Sequence, residues 1–357
     1  METAEVVIVG GGAIGASTAA HLLELGLSDV VLLERDTLGS GSTSKSAGGI
    51  RTQFADELNI RIALRSLDEF RRLEGIDFHE YGYLFLLDDQ GDLARFREAL
   101  ALQRSLGVPS FELTPAEAAE RVPGIEIEGL VGATFCPWDG YATPEAVVGS
   151  YARGVDVRQG CAAERIVVKD GRVQAVETTA GPIATGTVVC AAGVWSPELA
   201  RTAGVVLPVH GERRRVWFSP QDGGLPERLP LTVDFSTGFY FHREGRGLAF
   251  GAPDAELETV APYATHRLPL LEELPVQSSW WGYYEVSPDN NAIVGEAAGV
   301  SRFLYATGFS GHGFQQSPAV GEYLAELVAG RTPTLDLSPF DLARFARGDE
   351  RRELFVI

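Results

Sequence analysis

Two hydrophobic rhythms alternate along the chain, and their order predicts its architecture. Short apolar runs rich in β-branched residues read as buried strands, and apolar residues three and four apart read as helices. The first run, Glu5 to Val9, meets a glycine turn, Gly10-Gly11-Gly12-Ala13-Ile14-Gly15. Ala16 to Leu25 follows at helical spacing, Gly26 stops it, and Val30 to Leu33 is a second apolar run ending in Glu34-Arg35. Gly39 to Gly49 is too small and polar for core and reads as a loop, and Asn59 to Leu73 is amphipathic with helical spacing. A strand is expected at Tyr81–Leu87 and a helix at Asp92–Leu106, closed by Gly107 and Pro109. Thr114 and Glu117 have the spacing of a capping box. Thr143-Pro144 opens a helix that Gly154 ends early. Val155–Arg158, Arg165–Val168 and Arg172–Thr178 read as short strands, the last two joined by Lys169-Asp170-Gly171, and Thr187–Cys190 reads as a buried one. A β-rich stretch covers Val216–Ser219, Phe239–His242, Gly247–Gly251 and Gln277–Val286. A strand at Phe303–Thr307, a glycine turn at Gly308–Phe314 and a helix at Ser317–Val328 close the pattern.

The opening order of strand, turn, helix, strand and acid is that of a dinucleotide-binding unit. Gly10 permits the tight turn, Gly12 lets backbone approach a pyrophosphate, and Gly15 lets the helix pack close to the sheet. The helix N-terminus offers free N–H groups and a positive dipole end to phosphates. Glu34 can accept both ribose hydroxyls, and its charge would repel a 2′-phosphate, which argues against an NADP-type ligand. The α/β pieces fall near 1–75, 143–210 and 287–357, and the β-rich pieces near 76–142 and 211–286. One dinucleotide unit at the front of so interleaved a chain suits a flavin enzyme better than a nicotinamide one.

Composition narrows the partners. With 30 basic and 49 acidic residues the net charge is −19, which disfavours nucleic acid and anionic membrane surfaces. Cys136, Cys161 and Cys190 are scattered and form no C-x-x-C, and six histidines show no ligand spacing, so neither disulfides nor a metal site are expected. No stretch reaches the length of a membrane span. The first strand lies within a few residues of Met1, leaving no room for a signal peptide, so a cytoplasmic protein is expected.

Several motifs together resemble the glycine oxidase, sarcosine oxidase and D-amino-acid oxidase superfamily of FAD-dependent amine oxidoreductases, with sarcosine oxidase-like members nearest. These are Gly10–Gly15 with Glu34-Arg35, Gly41-Ser42-Thr43-Ser44 through Gly49-Ile50-Arg51, Ala191-Ala192-Gly193-Val194-Trp195-Ser196, Ser287-Pro288-Asp289, and Ala306 through Phe314 (A-T-G-F-S-G-H-G-F). The resemblance implies a Rossmann-like FAD-binding domain (1–75, 143–210, 287–357) interleaved with a mostly antiparallel substrate domain (76–142, 211–286). It implies oxidation of the C–N bond of an amino acid, with hydride passing to the flavin and the imine then hydrolysed. The partners are then a small amine substrate and dioxygen or another electron acceptor. Implied cofactor contacts are Gly10, Gly12, Ala13, Ile14, Gly15, Glu34, Arg35, Ser42, Thr43, Ser44, Gly48, Gly49, Ala163, Ala191, Gly193, Trp195, Gly311, His312, Gly313, Phe314 and Gln315.

Arg51 matches the arginine with which sarcosine oxidases bind the substrate carboxylate, and its planar fork suits a bidentate contact. Tyr240, Tyr284, His312 and Gln315 complete the expected catalytic set, within an aromatic group of Trp138, Phe239, Tyr240, Trp280, Trp281 and Tyr284. Phe239 and Phe241 alternate with Tyr240 and His242, so the two pairs face opposite sides of their strand. The chain departs from the sarcosine oxidase pattern at three positions. Gln315 replaces a carboxylate-binding lysine, Ala249 replaces the lysine that promotes reaction with dioxygen, and Gly282 stands nearest the flavin-linking cysteine. FAD is therefore expected to be non-covalent. Tyr284 and Phe239 stand where D-amino-acid oxidases place a carboxylate clamp of arginine and tyrosine. The favoured substrate is a secondary amine such as an N-substituted glycine. Oxidation of glycine, proline or another free or cyclic amino acid with a non-oxygen acceptor, or a non-catalytic flavin-binding subunit, are the alternatives.

Overall fold

The computed structural model describes residues 1–254 and 256–356. Val6–Val9 and Val30–Leu33 lie at the heart of a six-stranded sheet, ordered Ile293–Glu296, Phe303–Thr307, Val188–Cys190, Val6–Val9, Val30–Leu33 and Asp156–Arg158. All neighbours are parallel except the first pair. Such strands are covered on both faces, which is why they read as unbroken apolar runs. Val6, Ile8, Val30 and Leu32 pack on one side with helices Ala13–Glu24 and Gly313–Val328. Val7, Val9, Val31 and Leu33 pack on the other, against a four-stranded sheet built mainly from Ala163–Lys169 and Arg172–Thr178. Asp170 and Gly171 both take positive φ, 51° and 70°, and turn that hairpin.

A second sheet of eight strands runs Ser278–Val286, His210–Ser219, Gly247–Ala252, Phe239–Glu244, Leu231–Asp234, Tyr83–Leu87, Gly132–Cys136 and Phe111–Leu113. It is antiparallel except where Leu231–Asp234 meets Tyr83–Leu87. One face carries Phe239, Phe241, Phe250 and Trp217 into a core shared with helices Pro115–Arg121 and Leu257–Arg267. The opposite face, with Tyr240, Tyr284, Arg214 and Ala249, turns toward the six-stranded sheet's domain.

The helix after the glycine turn begins at Gly313, four residues earlier than the pattern predicts, which moves Pro318 from its first turn into its interior. The Phe314 carbonyl, which Pro318 has no N–H to satisfy, accepts the Ser317 hydroxyl at 2.8 Å. The strand Leu231–Asp234 and the helix Leu257–Arg267 were not legible in the pattern; the helix contains Pro262. Two elements lie across the expected domain limits. The ten-residue strand His210–Ser219 begins one residue inside the piece placed at 143–210. The piece 287–357 also reaches into the other domain, because Phe355 stacks on Phe96 at 3.9 Å and 10°, and its apolar ring joins the Tyr83, Phe85 and Leu231 cluster. Arg344, fully buried, anchors this tail through paired contacts to Asp289 of 2.8 and 2.7 Å.

Candidate active site

A cavity of about 970 Å³ opens between the two domains. Its floor is the glycine turn. Gly10 has φ 110°, and a Cβ there would lie well under 3.0 Å from the Ala191 carbonyl oxygen. A Cβ on Gly15 would similarly collide with the Gly10 carbonyl oxygen. Both glycines are thus required by the backbone itself, and Gly12 caps the helix that starts at Ala13. The Ala13 N–H donates to Thr43 Oγ1 at 3.1 Å. Glu34 is fixed by two N–H donors, Gly11 to Oε2 and Asp36 to Oε1, both 2.9 Å. Arg35 lies 3.6 Å over the Trp195 ring.

Of the expected cofactor residues, Gly10, Gly12, Ala13, Ile14, Glu34, Arg35, Ser42 and Thr43 line this cavity. So do Ala163, Ala191, Gly193, Trp195, Gly311, Gly313 and Phe314, and from the catalytic set Tyr284. Gly15, Ser44, Gly48, Gly49, Arg51, Tyr240, His312 and Gln315 stand behind its wall. Gly48 has φ 66°, and a side chain there would meet the Ala142 carbonyl. The loop 39–49 is tied to the roof strand by Ser42 Oγ donating to Tyr283 O (2.8 Å) and Trp280 Nε1 donating to Lys45 O (3.2 Å). The collar of glycines, the helix N-terminus and Glu34 fit the pyrophosphate and adenosine ribose of FAD.

Gly282 has no room for a linking side chain, since its Cβ would lie 2.6 Å from Lys45 Cβ. Cys136 is buried against Thr52 (3.4 Å), Cys190 lies inside the six-stranded sheet, and Cys161 lines the cavity beside Ala162 and Ala163. Acid precipitation should therefore leave a colourless pellet and a yellow supernatant; colour retained in the pellet would show a covalent bond.

Arg51 sits at the centre of the interior, 2% exposed. Its Nη1 donates to Gln53 O, and its Nη2 donates to Phe355 O and to His312 Nε2 (3.0 Å). Both Nη2 protons are thus engaged, and each bidentate edge of a guanidinium includes one of them. The two-pronged carboxylate contact expected for Arg51 is closed in this arrangement. The side chain is sandwiched by the Phe54 ring at 4.1 Å and the Phe85 ring at 5.5 Å. Its main-chain N–H donates to Gln315 Oε1 at 2.8 Å, so Gln315 holds the loop. Burial, with the Arg51 charge beside it, keeps His312 well below the ordinary imidazole range, and it is a neutral acceptor. The segment 51–53 is locked by Asp139, which accepts from the Thr52 N–H (2.8 Å), Thr52 Oγ1 (2.6 Å) and Gln53 Nε2 (3.2 Å). Burial pushes the Asp139 carboxyl up to about 6.

Two members of the aromatic set lie elsewhere. Phe239 is fully buried in the sheet's far-side core, and Trp138 packs at 5.0 Å under Arg71. Their apolar rings found core partners rather than the cavity. Trp280, Trp281 and Tyr284 line it.

Three residues were missed. Tyr83 lies on the strand predicted at 81–87, and parity alone placed its side chain on neither face. Its hydroxyl, like those of Tyr240 and Tyr284, makes no hydrogen bond among the described residues. Burial raises all three phenols, so they remain protonated donors. Arg214 lines the cavity and lies 4.9 Å over the Tyr284 ring; in the sequence it is one of three consecutive arginines and looks like surface.

Glu285 is the third. It lines the cavity, accepts from Thr307 Oγ1 at 2.7 Å, and is pushed up to about 7 by burial. Filling the cavity removes more water and favours its neutral form further. FAD binding should then take up a proton wherever Glu285 is ionised, so affinity falls as pH rises above 7. Glu285→Gln should flatten that dependence when apoprotein is titrated with FAD by fluorescence between pH 6 and 8.5. Equal slopes in both proteins would exclude Glu285 as the source.

Comparison with known proteins agrees with this geometry. The family model described as FAD dependent oxidoreductase matches residues 5–327. The chain is 33% identical to "FAD-dependent oxidoreductase domain-containing protein 1" of Bos taurus, over 100% of this chain and 87% of that protein. It is 28% identical to mitochondrial sarcosine dehydrogenase of Mus musculus, covering 96% of this chain but 41% of the longer relative. Among solved structures it is similar to L-proline dehydrogenase from P. horikoshii, with TM-score 0.92 and 31% identity over 98% of this chain and 100% of that one. With the cavity, its glycine collar and its buried donors in place, the chain belongs to the FAD dependent oxidoreductase family, as an enzyme that uses FAD.

Proposed function

We propose that the enzyme oxidises the secondary amine of a small amino acid, an N-substituted glycine or its cyclic counterpart L-proline, and passes the electrons to an acceptor other than dioxygen. The observation that carries this reading is the donor set beside the cavity: the hydroxyls of Tyr83, Tyr240 and Tyr284, each without a partner among the described residues, together with the Arg214 guanidinium. Cations answer a carboxylate, and phenol edges and aromatic faces suit an alkylated amine better than a fully hydrated ammonium. The relatives named for sarcosine, for 4-methylaminobutanoate (Paenarthrobacter nicotinovorans) and for L-proline all carry an alkylated nitrogen and a carboxylate.

FAD, when bound, supplies the hydride acceptor. The protein's own residues place the substrate and control charge. The N-terminus of helix Gly313–Val328 brings a positive dipole end to the cavity, and neutral His312 stands behind the wall against Arg51. Ala249, 2% exposed, faces inward between Phe218 and His242; with no cation there, rapid reaction with dioxygen is not expected.

With an artificial electron acceptor, sarcosine or L-proline should turn over faster than glycine. Activity should rise from pH 7 to pH 9, because the amine must be neutral to lose hydride. Faster turnover of glycine or of a primary D-amino acid would overturn the reading.

A further inference from the structure

Arg214 lies on strand His210–Ser219, on the face that carries Tyr284. Across the strand pair it stands opposite Gly282, and both residues line the cavity. Nη1 donates to Arg213 O at 3.1 Å and Nη2 to Glu212 Oε2 at 2.9 Å. Its Nε is buried and has no hydrogen-bond partner among the described residues. A guanidinium has no acceptor of its own, and an unmade bond from a buried, charged donor is expensive. The group that satisfies it must be an acceptor, and a carboxylate satisfies it best. Arg214 lies 4.9 Å over the Tyr284 ring, and both residues line the cavity. Arg51, by contrast, has both Nη2 protons committed to Phe355 O and His312.

We propose that Arg214, rather than Arg51, anchors the carboxylate of the substrate through its open Nε–H, with Glu212 fixing the guanidinium from the outer side. Arg51 is then a positioning residue that holds His312, Gln53 and the tail at Phe355. This assignment rests on the amino-acid substrate proposed above, and it predicts selection for amines that carry a carboxylate within reach of the roof strand.

The test uses the FAD-loaded enzyme and three probes: acetate, which is read by its perturbation of the flavin spectrum, and L-proline and pyrrolidine, which differ only in the carboxylate. Arg214→Gln should raise the acetate dissociation constant and the KM for L-proline about tenfold or more, leave the KM for pyrrolidine unchanged, and change kcat little. Arg214→Lys keeps the charge and loses the Nε–H, so it should bind FAD normally and show an intermediate loss of acetate affinity. An unchanged acetate constant in both variants overturns the assignment. So does an equal rise for L-proline and pyrrolidine, or loss of FAD from Arg214→Lys, which would give the guanidinium to the cofactor. If neither L-proline nor sarcosine bleaches the wild-type flavin, the proposed reaction fails, while the acetate titration still reads Arg214.

Discussion

Gly10→Ala should give a protein that purifies without yellow colour. The position takes φ 110°, where an L side chain is strained. The added Cβ would be driven into the Ala191 carbonyl, at the end of a neighbouring strand in the same parallel sheet, and backbone has no rotamer to yield with. Overpacking of this kind costs about 1–3 kcal/mol, and the shift it forces falls on the turn that must approach the pyrophosphate. Gly26→Ala is the control. Gly26 also has positive φ, 89°, but nothing lies within 4 Å of its added Cβ. It should lose only the strain, roughly 1 kcal/mol, and keep its FAD. The absorbance ratio at the flavin and protein bands reads both variants. Equal FAD content in the two would show that the close approach at Gly10 is not what builds the site.

Arg344→Ala should be among the most destabilising single changes in the chain. Its guanidinium is completely buried and bonds Asp289, Phe340 O (2.7 Å) and Asn291 O (3.1 Å). Removing it leaves the Asp289 carboxylate, 3% exposed, with only the neutral donors of the Ser287 hydroxyl and the Asn291 and Arg351 N–H groups, a loss of about 3–5 kcal/mol. The double change Asp289→Asn with Arg344→Met removes both charges and should lose less than Arg344→Ala alone. Urea unfolding followed by circular dichroism measures the series. A loss below about 1 kcal/mol for Arg344→Ala would show that water reaches Asp289. Because the same segment carries Glu353 and Phe355 onto Asn59 and Arg51, Arg344→Ala should also loosen the substrate side of the cavity.

These two sites differ in how far the sequence revealed them. The glycine turn was legible because each residue answers a local demand: positive φ at Gly10, close backbone approach at Gly15, and an acid after the second strand. The capping box at Thr114 and Glu117 was equally local, and the structure forms it in both directions. The Asp289–Arg344 pair joins residues far apart in the chain, and no spacing announces it. Leu231–Asp234 escaped notice for a related reason. Its four residues, Leu231-Thr232-Val233-Asp234, hold only two apolar positions, and pairing with Tyr83–Leu87 on one side and Phe239–Glu244 on the other makes them a strand. Helices that carry Pro262 and Pro318 were missed or begun late, because tertiary packing overrode a local breaker.

At the site, the family motifs located the cavity wall well and the chemistry less well. Arg51 does lie beside the expected loop, but the motif gives no sign that Phe355 would take its fork. Tyr83 and Arg214 come from strands whose facing depends on register, and a shift of one residue reverses every side chain. Glu285 reads as an ordinary polar residue of an edge strand until Thr307 and Gly193 close around it.

The central claim is that a carboxylated secondary amine delivers electrons to FAD held in this cavity. Anaerobic mixing of the purified yellow enzyme with sarcosine and with L-proline, followed at the flavin absorbance band, tests it most directly. Bleaching by at least one of them, with colour returning only slowly when air is admitted, is the predicted result. A flavin that stays fully oxidised with both amines would contradict the account.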